Sequence, residues 1–243
     1  MGIIAGILCS TDAIVQYHGS DAVRMQRMSR GVKKTSPLWD ARKAETERRI
    51  LDAAARLFIA DGYAATSLAA VADVAEVGAR TVYLRFGTNA ELHKRALDVA
   101  NVGDTQEIDL AHRDWHILAA TAPTLEERIT AYAHGAAGLM ERAAPLIAAA
   151  AAAEPSEPLI AEAGHAGRMA TQQHIADIWR AMRADGLLHP EADLDWIITT
   201  VGPLGQADTY NLMVRTLGWS SADYARWLHD TWLRLATMPS TLR

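Results

Sequence analysis

From Glu45 onward the hydrophobic positions fall into a helical rhythm, with Ile50, Ala53, Ala54, Leu57 and Phe58 at i, i+3, i+4, i+7 and i+8, one face of a helix. Asp61-Gly62 closes that run, with Gly62 expected as a left-handed cap. Thr66 or Ser67 can cap a second, short helix that buries Leu68, Val71, Ala72 and Ala75. After Glu76-Val77-Gly78 a third short helix is predicted. It places Ala79, Val82 and Phe86 on one side and leaves Arg80, Thr81, Leu84 and Arg85 on the other, free to touch something. Thr88-Asn89-Ala90-Glu91 has the spacing of a capping box, so a fourth helix starts there and continues through Leu92 and Leu97.

The rest of the chain reads as helix, with no alternating strand pattern and no fixed-period repeat. Its breaks fall at Ala122-Pro123, Glu154-Pro155, Gly186, His189-Pro190 and Gly218. The alanine run 148–153 is read as a close-packed helical segment, because Ala is the strongest helix former. Thr124-Leu125-Glu126-Glu127 is a second capping box. Residues 1–44 show no periodicity and contain the basic run Arg30, Lys33, Lys34, Arg42 and Lys43, so they are expected to form a disordered basic arm. Met25 and Met28 stand just before that run and leave the true start of the chain open; residues 1–23 are given no function. The expected organisation is all-α: an arm over 1–44, a helical hairpin module over 45–95, and a helical domain over 96–243.

Charge sharpens this division. The net charge of −5 over 243 residues hides a basic stretch from Arg24 to Arg95, with 14 Lys or Arg against 8 Asp or Glu (+6), joined to a remainder that sums to −11. A basic module beside an acidic one suits a nucleic-acid reader with a separate second domain, since phosphate binding follows local cationic charge. Half the residues are hydrophobic, ample for a core. The single cysteine, Cys9, excludes an internal disulfide framework and a four-cysteine zinc site, and makes a reducing compartment the default. The apolar start MGIIAGILC is too short to span a bilayer and lacks the basic beginning of a signal peptide, so a cytoplasmic protein without a membrane partner is expected.

Two helices joined by a short turn, the second with a basic outward face, make a helix-turn-helix, whose second helix enters the major groove. Taken together, RILDAAARLF and DGYAATSLAAVADVAEVGARTVYLRFGTNAEL resemble the TetR family of bacterial transcriptional regulators. Gly62-Tyr63 match the end of that family's first helix, Thr66-Ser67 the opening of its second, and Thr81, Tyr83 and Phe86 the core of its third. The resemblance implies about nine helices: an N-terminal three-helix DNA-binding domain and a C-terminal domain for ligand binding and dimerisation. Three positions depart from the family pattern. Glu76 replaces the usual turn glycine and must accept positive φ at a cost or shift the turn. Gly78 replaces a serine cap and is a weaker one. Asn89 replaces a lysine, which removes one phosphate charge and should make the salt slope shallower by about one unit.

The resemblance assigns DNA contacts to Thr66, Ser67, Ala79, Arg80, Thr81, Tyr83, Leu84, Arg85 and Asn89, with Arg42 and Lys43 reaching from the arm. Arg80 and Arg85 suit guanine or phosphate, Leu84 a thymine methyl, and the hydroxyls and helix N-termini suit phosphates. Each also has a plain reading: a solvated arginine, a surface leucine, a tyrosine partly in the core, a solubilising arm that includes Lys33 and Lys34.

LMVRTLGWSSADYARWLHDTW resembles the end of many chains of the same family, where two helices pair with their symmetry mates. Tyr224, Trp227, Leu228, Thr231, Trp232 and Leu235 fall at helical spacing and, with Trp196, Ile197, Val201 and Leu204, are expected to form a four-helix homodimer interface; an internal core is the alternative. Between these elements Trp115, Tyr132, His134, Met140, His165, Met169 and Trp179, with His116, His174 and Met182, are candidates for an effector pocket, though ordinary core packing suits each one singly. His112 and His116 stand at i, i+4 without a third ligand in pattern, so no metal is expected. No nucleophile elbow, phosphate loop, paired-histidine metal helix or dinucleotide fingerprint occurs, so neither an enzyme nor a cofactor is expected. The expected function is a regulator, a repressor in the first instance, that binds a near-palindromic double-stranded operator as a homodimer and leaves it when a small-molecule effector binds. The alternative is a helical small-molecule-binding protein or enzyme without sequence-specific DNA binding.

Overall fold

A computed structural model describes residues 37–102 and 113–239, and among these every regular element is a helix. The helices are α1 Pro37–Asp61, α2 Leu68–Val74, α3 Ala79–Phe86, α4 Asn89–Val102, α5 Asp114–Thr121, α6 Leu125–Ala151, α7 Pro158–Ala184, α8 Leu194–Leu204, α9 Ala207–Tyr210 and α10 Ser221–Thr237; a π-helical stretch, Asn211–Thr216, continues α9. Ten helices match the all-α expectation of about nine. Helix α1 already begins at Pro37, inside the stretch 1–44 expected to be disordered; residues 1–36, with Lys33 and Lys34, lie outside the described residues. Trp39 and Ala41 to Glu45 are exposed, so the start of α1 has no apolar stripe by which periodicity could find it.

The head, α1 to α4, follows the spacing except on α3, where Ala79, expected on the buried side, is exposed and Arg85, expected on the free side, turns inward. Ile50, Ala53, Ala54 and Phe58 of α1, Val71 and Ala72 of α2, Val82 and Phe86 of α3, and Leu92 of α4 form its core. Gly62 takes φ +85 and ends α1, while Ser67 caps α2 by accepting the N–H of Ala70 at 3.1 Å. The box at Thr88 and Glu91 closes in both directions, the Thr88 hydroxyl accepting from Glu91 N and the Glu91 carboxylate accepting from Thr88 N.

The second core belongs to α5–α10 and centres on Trp179, Trp232, Tyr224, Ile175, Met182 and Leu228. The long helices α6 and α7 run through it. The capping box at Thr124 starts α6, and Gly135 on that helix leaves room for the Trp115 indole of α5, which a Cβ there would strike. The two cores meet where α4 packs on α6. Leu146, Ala153 and Ile160 extend the head's core, the buried His93 ring bonds Leu146 O at 3.1 Å, and Arg142 donates to Ala100 O at 3.0 Å. No helix among the described residues is long and apolar enough to cross a membrane.

Candidate nucleic-acid interface

Helix α3 is short, and its burial is lopsided. Val82 and Phe86 point into the head, while Ala79, Arg80, Thr81, Tyr83 and Leu84 are exposed, Leu84 at 76% and Tyr83 at 51%. An outward leucine and tyrosine beside an arginine form a surface that can meet base edges and sugar–phosphate together. Arg80 makes no hydrogen bond or ion pair with any described residue, so its guanidinium is available. Ser67, exposed at the start of α2, presents a second helix N-terminus, and Gly78 caps α3 without a side-chain bond, as its lack of an oxygen requires. Arg42 and Lys43 are exposed on α1, with the Lys43 ammonium 5.7 Å from the Trp39 ring.

Three assigned contacts turn inward instead. Thr66 is buried at 6% exposure, and its hydroxyl donates to Gly62 O at 2.9 Å, so it staples the α1–α2 loop. Asn89 is half-buried, and its amide donates to Tyr63 O at 3.2 Å and Thr66 O at 2.9 Å across the same loop. Arg85 is not on the free face: its guanidinium bonds the Glu47 carboxylate of α1 at 2.9 Å, and its side chain is only 19% exposed. The physical reason is common to all three. A polar group close to the head's interior satisfies an otherwise orphaned carbonyl or carboxylate before it is free for anything outside.

The turn carries its own compensation. Glu76 has φ 52, the one positive φ at a non-glycine residue among the described residues, so the chain accepts left-handed backbone here. Arg49 of α1 reaches across it, donating to Ala75 O at 2.6 Å and approaching the Glu76 carboxylate at 3.3 Å. Sequence reading missed both Arg49 and Glu47. Their only signal was two charged side chains on the otherwise polar approach to Ile50, and spacing within one helix does not say which partner another helix will bring.

The residues expected around an effector do not enclose one cavity. Tyr132, Met140 and Trp179 are buried in the second core, Trp115 is half-buried beside it, and His134, His165 and Met169 lie exposed. The rings form a continuous chain: Trp115 edges His116 at 5.2 Å, His116 stacks on His174 at 4.0 Å, His174 meets Tyr132 at 6.3 Å, Tyr132 stacks on Trp232 at 4.1 Å, and Trp232 meets Trp179 at 5.2 Å. His174 Nε2, Trp179 Nε1 and Trp232 Nε1 are buried without a hydrogen-bond partner among the described residues. Burial, with the neighbouring His116 adding to it, lowers the His174 pKa to about 4. His112 lies outside the described residues, and no cluster of three metal-ligating side chains occurs within them.

The expected dimer stripe also divides. Tyr224, Leu228 and Trp232 are fully buried in their own chain's core, together with Ile197 and Val201, so the internal alternative holds for these five. Trp196 remains 47% exposed, and Trp227 and Thr231 face an open depression on α10 with Trp219. One helix has two sides, and the shared spacing of the stripe joined residues from both.

Residues 50–96 match the family described as bacterial regulatory proteins, tetR family. Among solved structures, a protein from Rhodococcus sp. described as a TetR-family transcriptional regulator superposes with a TM-score of 0.57 at 17% identity, over 79% of this chain and 98% of that one. One of the same description from Mesorhizobium loti MAFF303099 gives 0.56 at 20%, over 80% and 96%. The fatty acid degradation regulator FadR from Bacillus halodurans gives 0.56 at 14%, over 83% and 97%. At these identities the likeness is one of fold. No curated protein matches the chain.

Proposed function

We propose that this protein is a non-enzymatic, cytoplasmic, ligand-responsive repressor that binds a near-palindromic operator as a homodimer, a reading supported by the match of residues 50–96 to the bacterial regulatory proteins of the tetR family. The observation that carries this reading is the outward face of α3, where Arg80, Thr81, Tyr83 and Leu84 stand exposed and the Arg80 guanidinium is free of partners among the described residues. A two-fold pair of such heads reads half-sites about 34 Å apart. Trp196, Leu204, Trp227, Thr231 and Leu235 are the members of the expected dimer surface that are not buried in their own chain. A small-molecule effector is assigned to the helical domain beside the His174, Trp179 and Trp232 rings, whose unpartnered nitrogens suit a ligand with hydrogen-bonding groups. It acts if it prefers the head spacing that cannot bind the operator.

The test is selection of genomic DNA fragments by the purified full chain at near-physiological salt. An enriched near-palindrome is expected, with discrimination lost in Arg80→Ala while the dimer persists by light scattering. A retained pool with no shared motif would sink the sequence-reading function, and an unchanged operator preference in Arg80→Ala would remove α3 as the reading face.

A further inference from the structure

Three helices of the head meet at one carboxylate. Glu47 of α1 accepts from Arg85 of α3 through Oε2 at 2.9 Å and from Arg95 of α4 through Oε1, at 3.1 Å from Nε and 3.0 Å from Nη2. The Glu47 side chain is 23% exposed, Arg85 19% and Arg95 44%, so the group sits at the surface without standing free in solvent. It lines an open depression beside α3 together with Lys43, Thr81, Tyr83 and Leu84. One carboxylate set against two guanidinium groups leaves this cluster with a net charge of +1 in place of +2, and it holds both arginines within the molecule.

The apolar core supplies most of what holds these helices together. Fully buried Ile50, Ala53, Phe58, Val71, Val82 and Leu92 hold the same helices together, and partly exposed ion pairs contribute little. What the carboxylate changes is the charge that the surface offers to a polyanion. With Glu47 in place, Arg85 and Arg95 are both tied to its carboxylate; without its charge they are free to turn to phosphate beside Lys43. Each phosphate neutralised by a released cation adds about 0.9 to the steepness with which binding falls as salt rises.

We infer that Glu47 governs the sequence-independent DNA affinity of the head, by withholding Arg85 and Arg95 from phosphate. This rests on the DNA-binding reading above and adds to it a residue that acts against binding. The effect is uniform across sequences, because phosphates carry no sequence information. Low background affinity leaves recognition to the Arg80 face.

The experiment measures binding of the full-length protein to a random-sequence 30-base-pair duplex across a salt series. Glu47→Gln should steepen the salt slope by about one unit and tighten binding at 0.1 M salt by roughly tenfold. Adding Arg85→Ala to Glu47→Gln returns the cluster to its wild-type net charge and should cancel the gain, whereas each arginine replacement alone in the wild-type chain, where that arginine is held by Glu47, should shift the slope by clearly less than one unit. A purely structural Glu47 would move the thermal midpoint and not the slope. An unchanged or shallower slope in Glu47→Gln, or a slope about one unit shallower in Arg85→Ala alone, overturns the inference while leaving DNA binding intact. If the wild type and Glu47→Gln both ignore the duplex even at low salt, the DNA-binding reading fails, and the inference falls with it. The two single-arginine variants keep the test decisive should Glu47→Gln not fold.

Discussion

At Glu76 the turn between α2 and α3 places left-handed backbone on a residue that carries a Cβ. Left-handed backbone at a residue with a Cβ costs about 1–2 kcal/mol, and the Arg49 bonds to Ala75 O and the Glu76 carboxylate hold the turn in spite of it. Glu76→Gly removes that cost but adds about 0.4–1 kcal/mol of freedom to the unfolded chain, and the ion pair it deletes has a carboxylate 85% exposed. The variant should therefore be neutral to slightly more stable in a urea titration. A loss above about 1 kcal/mol would show that the carboxylate matters more than the backbone. Arg49→Ala strips the Ala75 carbonyl and should cost about 1–2 kcal/mol in the same assay. Asn89 carries the complementary lesson. The family pattern pointed it at phosphate, yet its amide holds Tyr63 O and Thr66 O, so Asn89→Ala should destabilise the head by about 1–2 kcal/mol, and an undiminished urea midpoint would mean those bonds are dispensable.

Among the elements, helix ends were more legible than helix faces. Ser67, Thr88 and Thr124 cap where the sequence placed them, because a cap is a local event involving residues within four of each other. Which face of a helix is covered is not local. Tyr224, Leu228 and Trp232 of α10 share a stripe with Trp227 and Thr231 by spacing, but only packing on α6 and α8 decides that the first three lie inside. The inward turn of Arg85 was hidden for the same reason, since Glu47 is 38 positions away. The local rule yields its own prediction on α3. Gly78 has φ −66 and ψ 133, and a Cβ there would meet nothing closer than the Thr81 hydroxyl at 3.8 Å. Gly78→Ser should then supply the missing side-chain cap and reduce unfolded-state freedom, for a gain of about 0.5–1 kcal/mol. Ser67→Ala, by contrast, should lose about 1 kcal/mol. Equal stability of wild type and Gly78→Ser would mean that the α3 N-terminus is already satisfied by solvent.

Across the whole molecule, neutral buried histidines occupy both cores, and this makes stability depend on pH in a direction that can be worked out. His93 sits where α4 meets α6, edge-on to Phe58 at 5.0 Å and Tyr63 at 5.7 Å, and burial lowers its pKa against a smaller upward pull from Leu146 O. His174 stacks on His116 between α5 and α7, and burial, then the second imidazole, lower its pKa from 6.5 to about 4, with Asp177 opposing. A lowered histidine pKa means that the unfolded chain binds protons more readily. Its contribution is therefore fully present above about pH 6.5, and is lost as pH falls through about 4, amounting to roughly 3 kcal/mol for His174. His229 runs the other way: burial alone would lower it, but hydrogen bonds to Asp230 and Glu126 raise it, so its smaller, partly exposed contribution is present at low pH and fades as pH rises. The two buried rings outweigh it because their shifts come from desolvation that solvent cannot screen. Urea midpoints should thus fall steadily from pH 7 to pH 4.5. His174→Phe, which keeps a flat ring on His116 without a titrating group, should flatten most of that fall. If the variant declines with pH as steeply as the wild type, the acid sensitivity arises from carboxylates, and the ring pair in the helical domain is inert packing.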